Sequence, residues 1–436
     1  MTEAIKILFK TVWHFFPAFP KWLQNIPDFR DKNRIDYSLS LLFWVGVFLF
    51  LFKIKSRRNI KFVLNSSEFM KNLNYLIKFS SDFNTLPHGD TLNYLLKGIP
   101  SKYIAALRTE MVRALIRKKC FVNDRLLGKY YLIVIDGTWM WSFNKRHCKH
   151  CLTRSTAKEG EYIYYHPVLE AKLITFDGMA LSIATEFIEN KDGATKQDCE
   201  LKAFYRLTKR LKADFPQMKI CLAADALYAA KQVFDICEKY HWKYIITFKE
   251  GSMPATYAEF ENLKEIEQGN KENFTTTKVI QNYRWATEIN HEGCLFNALE
   301  CVETNRKNNK TTKFVWATNL SVRSNNILQI AQGGRARWKI ENEGFNMQKN
   351  GGYGLEHAYS RNTVAMKNFY FLLQIAHIIN QLMEKGNLLK KNLLKTYGSI
   401  KNFSLALWNA FVSKVLSPDE IGELLNTRIQ IRFDSS

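Results

Sequence analysis

The 436-residue chain has no internal repeat and no low-complexity tract. That excludes a solenoid and a largely disordered chain. It has no Gly-rich phosphate loop, so no nucleotide or other organic cofactor is implied. Met1 to Lys10 lacks the pattern of a cleaved secretory leader. A membrane span needs about 20 consecutive apolar residues. The run Leu41 to Phe52 (LLFWVGVFLFLF) falls short of that and ends at Lys53, so it reads as a buried or dimer-forming helix and not as a span. Acidic residues are few beside basic ones: 41 Asp and Glu face 63 Lys and Arg, a formal charge of +22. Such a surplus suits a polyanion, because each neutralised phosphate releases condensed counterions. On charge alone a membrane surface or RNA is also compatible. The eight cysteines (Cys120, Cys148, Cys151, Cys199, Cys221, Cys237, Cys294 and Cys301) are scattered and read as reduced cytosolic thiols packed as small core residues.

What is present is a large apolar fraction, 46%, with 31 Phe, 19 Tyr and 10 Trp, enough for an extensive core. The length fits about two to four domains. Residues 1–125 read as helical, through SSEFMKNLNYLIKF, GDTLNYLLKGI (Asp90 or Thr91 as its cap) and SKYIAALRTEMVRALIRKK. The last is a basic amphipathic helix, with a solvated face or a DNA-contacting face as its two readings. From residue 126 the texture changes. Tyr130 to Ile135 is a strand ending at Asp136-Gly137. Tyr162 to Thr175 and Met179 to Phe187 form two more, paired about the turn Asp177-Gly178. A helix at Asp198 to Leu211, a buried strand at Ile220 to Ala224, a helix at Ala229 to Tyr240 and a strand at Tyr244 to Phe248 follow. Three strands, then helix–strand–helix–strand, is the order of a ribonuclease-H-like α/β core. Residues 250–326 read as an all-β insertion. Residues 327–385 return to helix and close the core, and 386–436 form a helical tail.

Cutting a phosphodiester requires a deprotonated nucleophile and neutralised charge on the phosphate, which two divalent cations supply together. Hard cations such as magnesium take carboxylate oxygens. Asp136 ends the first core strand and Asp225 the fourth, and in the expected sheet these strands are neighbours. Either Asp alone could simply cap a turn. A third acid, Glu341, lies in RWKIE. At about 100° per residue Arg337, Glu341 and Gln348 fall within about 40° of one another on a helix, while Glu343 points about 160° away from Glu341. A surface Arg–Glu pair is the plainer reading of Arg337 and Glu341 taken by themselves.

The segments VIDGTW, AADALYA and RWKIENEGFNMQK resemble the three acidic motifs of bacterial insertion-sequence transposases of the IS-four family. The similarity spans about residues 125 to 385, including the insertion. It implies a ribonuclease-H-like DDE enzyme that cuts at the ends of an insertion sequence and joins them to target DNA. Asp136, Asp225 and Glu341 would then be catalytic and hold two Mg2+ ions, with Mn2+ as a substitute. The family's third motif runs Tyr, two residues, Arg, three residues, Glu, six residues, Lys. Arg337 and Glu341 match; Gly334 stands at the Tyr position and Gln348 at the Lys position, with Lys349 one step later. Arg337, Trp338, Gln348 and Lys349 are the expected DNA contacts. The insertion tryptophans Trp285 and Trp316 have two readings, stacking on an extruded base or packing in a core.

Asp198 and Glu200, in KQDCELKAF, match a feature of one branch of these enzymes; Asp198 reads first as a helix cap. His147-Cys148-Lys149-His150-Cys151 has Cys-x-x-Cys spacing, but no second pair completes a zinc site, so it reads as a basic loop beside the active site. The resemblance implies double-stranded DNA as partner, a homodimer joining two element ends, and a cytoplasmic, nucleoid-associated place in a bacterium. A nuclease of the same fold without strand transfer, or a DNA-binding descendant that no longer cuts, are the alternatives.

Overall fold

The computed structural model describes residues 2–77, 85–190, 196–427 and 429–433. Ten strands make one mixed sheet: β1 (Tyr131–Phe143), β2 (Leu152–Ser155), β3 (Tyr162–Ile174), β4 (Ala180–Phe187), β5 (Ile220–Ala224), β6 (Lys243–Thr247), β7 (Lys271–Thr275), β8 (Val279–His291), β9 (Cys294–Asn305) and β10 (Thr311–Thr318). Their order is β2-β3-β1-β5-β6-β10-β9-β8-β7, and β4 pairs with β3. β1 runs parallel to β5, and β5 parallel to β6; β3 and β4 are antiparallel to their neighbours. Every residue of β5 is buried, as its unbroken apolar run requires of a central parallel strand.

The insertion differs from expectation in two ways. It opens with a helix, Pro254–Ile266, which buries Thr256, Phe260 and Lys264 at four-residue spacing against β8. The buried ammonium of Lys264 bonds Glu300 at 2.8 Å, so a charged residue fills an inward position and masks the helical pattern. Second, β10 pairs antiparallel with β6 through Trp316↔Thr247 and Thr318↔Ile245. The insertion's strands therefore extend the central sheet.

The helix Leu39–Leu51 begins at Ser38, whose Oγ accepts from the Leu41 amide, and Leu41 to Leu51 are all buried. It packs on Thr363–Lys385, a 23-residue helix that also contacts Ser101–Arg117 and β4. No helix among the described residues is long and apolar enough to cross a membrane. The expected cap of the next helix is displaced: Gly89–Gly98 starts at His88, whose ring accepts from the Asp90 amide. Of the helix expected from Ser66 to Phe79, Ser67–Leu76 is formed, and Lys78 and Phe79 lie outside the described residues. The basic helix Ser101–Arg117 turns two of its arginines inward. Arg108, 1% exposed, donates to Ser182 Oγ and to the Ile183 carbonyl at 2.9 and 3.1 Å. Arg113 donates to the Asp214 carbonyl. Glu3–Phe15 packs against the tail helices Ile400–Ser413 and Pro418–Asn426, with Lys6 and Glu420 2.8 Å apart. The larger of two hydrophobic clusters among the described residues thus draws on residues from Ala4 to Ile431.

Candidate active site

Val134 of β1 stands beside Ala223 of β5. Asp136 and Asp225 each follow two residues later. Asp225 lies just past the end of β5, whereas Asp136 is inside β1, which does not end at Asp136-Gly137 as expected but runs on to Phe143 because it stays paired with β3. Both are half-buried. Asp136 accepts from the Gly137 amide at 2.9 Å, and Asp225 accepts from the Leu227 amide at 2.9 Å as it caps a short turn. Burial pushes the Asp136 carboxyl up to about 6, against the Gly137 amide and Arg337; the charges of Asp225 and Glu200 push it further up.

Glu200 is the acid that the structure adds to this pair. It opens the helix Glu200–Asp214, and a Cβ on Gly137 would overlap its carboxylate. Burial, then the charge of Asp225, raises its pKa. Tyr228 donates to Glu200 at 3.4 Å, and burial together with the fields of Glu200, Asp225 and Asp136 holds its hydroxyl well above the usual tyrosine range. The sequence signals were KQDCELKAF, whose two acids had a metal or DNA role as their second reading, and a glycine directly after Asp136, which leaves room for an incoming side chain. Asp198 is not the helix cap: Cys199 holds that position, and Asp198 pairs with Arg206 instead.

Around Glu341 the chain departs from a regular helix. Ile327–Arg335 ends at Ala336, and Ile340–Asn346 forms a π-helical turn packed against β1 and β4. The 100° spacing therefore does not carry from Arg337 to Gln348. Arg337 lies 3.7 Å from Asp136 and stacks on Trp338, itself 52% exposed. Glu341 is exposed and has no hydrogen bond or ion pair with a described residue. Lys349 pairs with Glu356 at 3.0 Å.

The expected DNA contact of Gln348 is corrected, and so is the base-stacking reading of Trp285 and Trp316, which take the core-packing alternative. Gln348 is fully buried and bonded to Gln374 and His377 at 2.8 and 2.9 Å, so its amide serves the core and cannot meet a phosphate. Trp285 and Trp316 are also buried, at 5% and 3% exposure, inside the cluster between the sheet and Ile327–Arg335. Trp316 explains Gly334: a Cβ there would overlap its indole. Gly334→Ala should therefore destabilise the fold by about 1–3 kcal/mol in denaturant titration, the usual cost of overpacking; an unchanged midpoint would contradict this packing. No protein-family model and no curated protein matches the chain.

Proposed function

We propose that the chain is a DDE transposase with a ribonuclease-H-like core, cutting DNA at the ends of an insertion sequence and joining them to a target. The observation that carries this reading is the placement of Asp136, where the β1–β5 pairing stops within β1, beside Asp225 just past the end of β5, with Glu200 in their field. The sheet order β4-β3-β1-β5-β6, antiparallel on one side and parallel on the other, supports the fold assignment.

The donors fit a divalent cation. They are hard carboxylate oxygens, partly buried, and the cation paired with Asp136 is Arg337 at 3.7 Å. Negative charge is in excess, which magnesium would offset. Asp136, Asp225 and Glu341 would hold two Mg2+ (or Mn2+), which when bound supply deprotonation of a water or 3′-hydroxyl and neutralise charge on the phosphate. Glu341 would reach the pair from the π-helical turn on β1. Arg337 is loosely held, so its guanidinium retains donors for a DNA phosphate. Trp338, exposed beside it, offers a stacking face, and Lys349 a second charge. The +22 charge suits double-stranded DNA, and joining two ends calls for a homodimer.

The test is incubation with the DNA ends that flank the chain's own gene, with Mg2+. Wild type should nick the ends and join them to a second duplex; Asp136→Ala, Asp225→Ala and Glu341→Ala should do neither. Nicking without joining would identify a nuclease instead. Full activity of Glu341→Gln with loss in Glu200→Gln would move the third ligand to Glu200. Binding without cutting in Mg2+ or Mn2+ would leave a DNA-binding descendant.

A further inference from the structure

The sequence leaves His147-Cys148-Lys149-His150-Cys151 without a partner, but the fold supplies one. The loop leaves β1 and folds back on β3, where His166 is 1% exposed. His147 Nε2 lies 2.9 Å from His166 Nε2, and Cys148 Sγ lies 3.3 Å from the same nitrogen. Cys151 is buried three residues on, its thiol donating to the Cys148 carbonyl at 3.1 Å. Among the described residues, His147, Cys148 and His166 are the group whose ligand atoms gather tightly enough for a metal ion.

Hydrogen bonding alone serves this cluster poorly. A neutral imidazole has one acceptor lone pair. In one tautomer His147 N–H and the Cys148 thiol share the lone pair of His166 Nε2; in the other the single proton of His166 Nε2 is shared between His147 Nε2 and the Cys148 sulfur. A cation at the centre removes the conflict, since every atom then contributes a lone pair. Tetrahedral zinc with its usual bond lengths places two nitrogens about 3.4 Å apart and nitrogen and sulfur about 3.6 Å apart. The observed separations are a few tenths of an ångström shorter, within the give of a surface loop. Two thiols and two imidazoles form a soft donor set, which selects zinc over magnesium.

We propose that His147, Cys148 and His166 form a structural zinc site, separate from the carboxylate centre, and that Cys151 completes it by turning its thiol from the Cys148 carbonyl to the metal. The site clamps the β1–β2 loop to β3. Trp141 packs on both imidazoles, with ring centroids 4.7 Å from each. Beyond the loop, Thr153 exchanges two hydrogen bonds with Gln197, at 2.6 and 2.8 Å, just before Glu200. Zinc therefore steadies the approach of Glu200 to Asp136 and Asp225, and holds the basic loop with Arg146 and Lys149 in one shape.

The experiment measures metal in the untagged full chain, purified without chelator, by elemental analysis. Wild type should carry one zinc per chain. Cys148→Ser and Cys151→Ser should lose it, while Cys199→Ser, an exposed thiol elsewhere, should keep it. Cobalt substituted for zinc should show a thiolate charge-transfer band and the visible absorption of a tetrahedral site. Wild type without zinc after growth and purification with added zinc would overturn the proposal, whatever the fold of the variants. So would full zinc content in folded Cys148→Ser. The readout is independent of DNA cutting, so its failure leaves the function proposed above untouched.

Discussion

Asp136→Asn is expected to abolish DNA cutting while making the metal-free protein more stable. On the proposed function, loss of one of the carboxylates assigned to the cations removes several kcal/mol of charge stabilisation, and so about a 10³-fold drop in nicking rate. The stability change has the opposite sign. The Asp136 carboxyl titrates near 6 in the fold, against 3.8 as its ordinary value, with burial as the chief cause. The folded state thus binds the proton more tightly than the unfolded chain does. Its ionised form costs stability above pH 6, and the cost fades as pH falls towards 4. Asn carries no such charge. At pH 8 without metal the variant should be more stable by about 1–3 kcal/mol. The difference should vanish near pH 4. Magnesium should raise the melting temperature of wild type and not of the variant, and that rise should shrink below pH 6 as protons compete. Equal melting curves at pH 8 would show that Asp136 is not held in an unfavourable charged state.

Arg108→Ala should be the most destabilising single change in the helical region, although that helix reads as a surface feature. Arg108 joins the N-terminal helices to β4 and faces Glu170, which is 0% exposed. Glu170 also accepts from Thr185 and lies 3.7 Å from the buried ammonium of Lys172, which burial pushes down to about 8. Removing Arg108 leaves the carboxylate with one depressed cation, and breaking such a buried set costs about 3–5 kcal/mol. Arg108→Lys should recover little, because an ammonium cannot reproduce the planar fork. Glu170 stands opposite Asp136 in the β1–β3 register, so loss of this network should also reduce cutting. Denaturant titration and a nicking assay would check both effects. A loss under 1 kcal/mol, on the order of a surface change, would contradict the buried-network account.

Much of the sheet was legible because strands leave local marks. YYLIVI, the pair around Asp177-Gly178 and ICLAA are apolar runs, and each lies in a strand; Asp136-Gly137 does not end the first, because β1 stays paired with β3 as far as Phe143. Asp136 and Asp225 were legible for the same reason, as acids directly after those apolar runs, although only Asp225 lies beyond its strand. Features set by distant partners were not. Gln348 reads as a surface amide until Gln374 and His377 close around it. Trp285 and Trp316 cannot be told from stacking aromatics until β8 and β10 join the central sheet. Arg108 gives a helix a basic look while serving a core. His166 lies 19 residues from His147 and inside a strand, so no motif links them. The π-helical turn at Ile340–Asn346 defeats a projection at constant angle, which is why the position of Glu341 was the least predictable part of the site.

The most direct test of the central claim, that Asp136 and Asp225 hold divalent cations, is to count those ions. Mn2+ titrated into the zinc-replete chain, with flanking DNA present and bound metal followed by paramagnetic resonance, should saturate at two ions. Asp136→Ala and Asp225→Ala should each lose that binding while still retaining DNA. Unchanged Mn2+ binding in both variants would contradict the account.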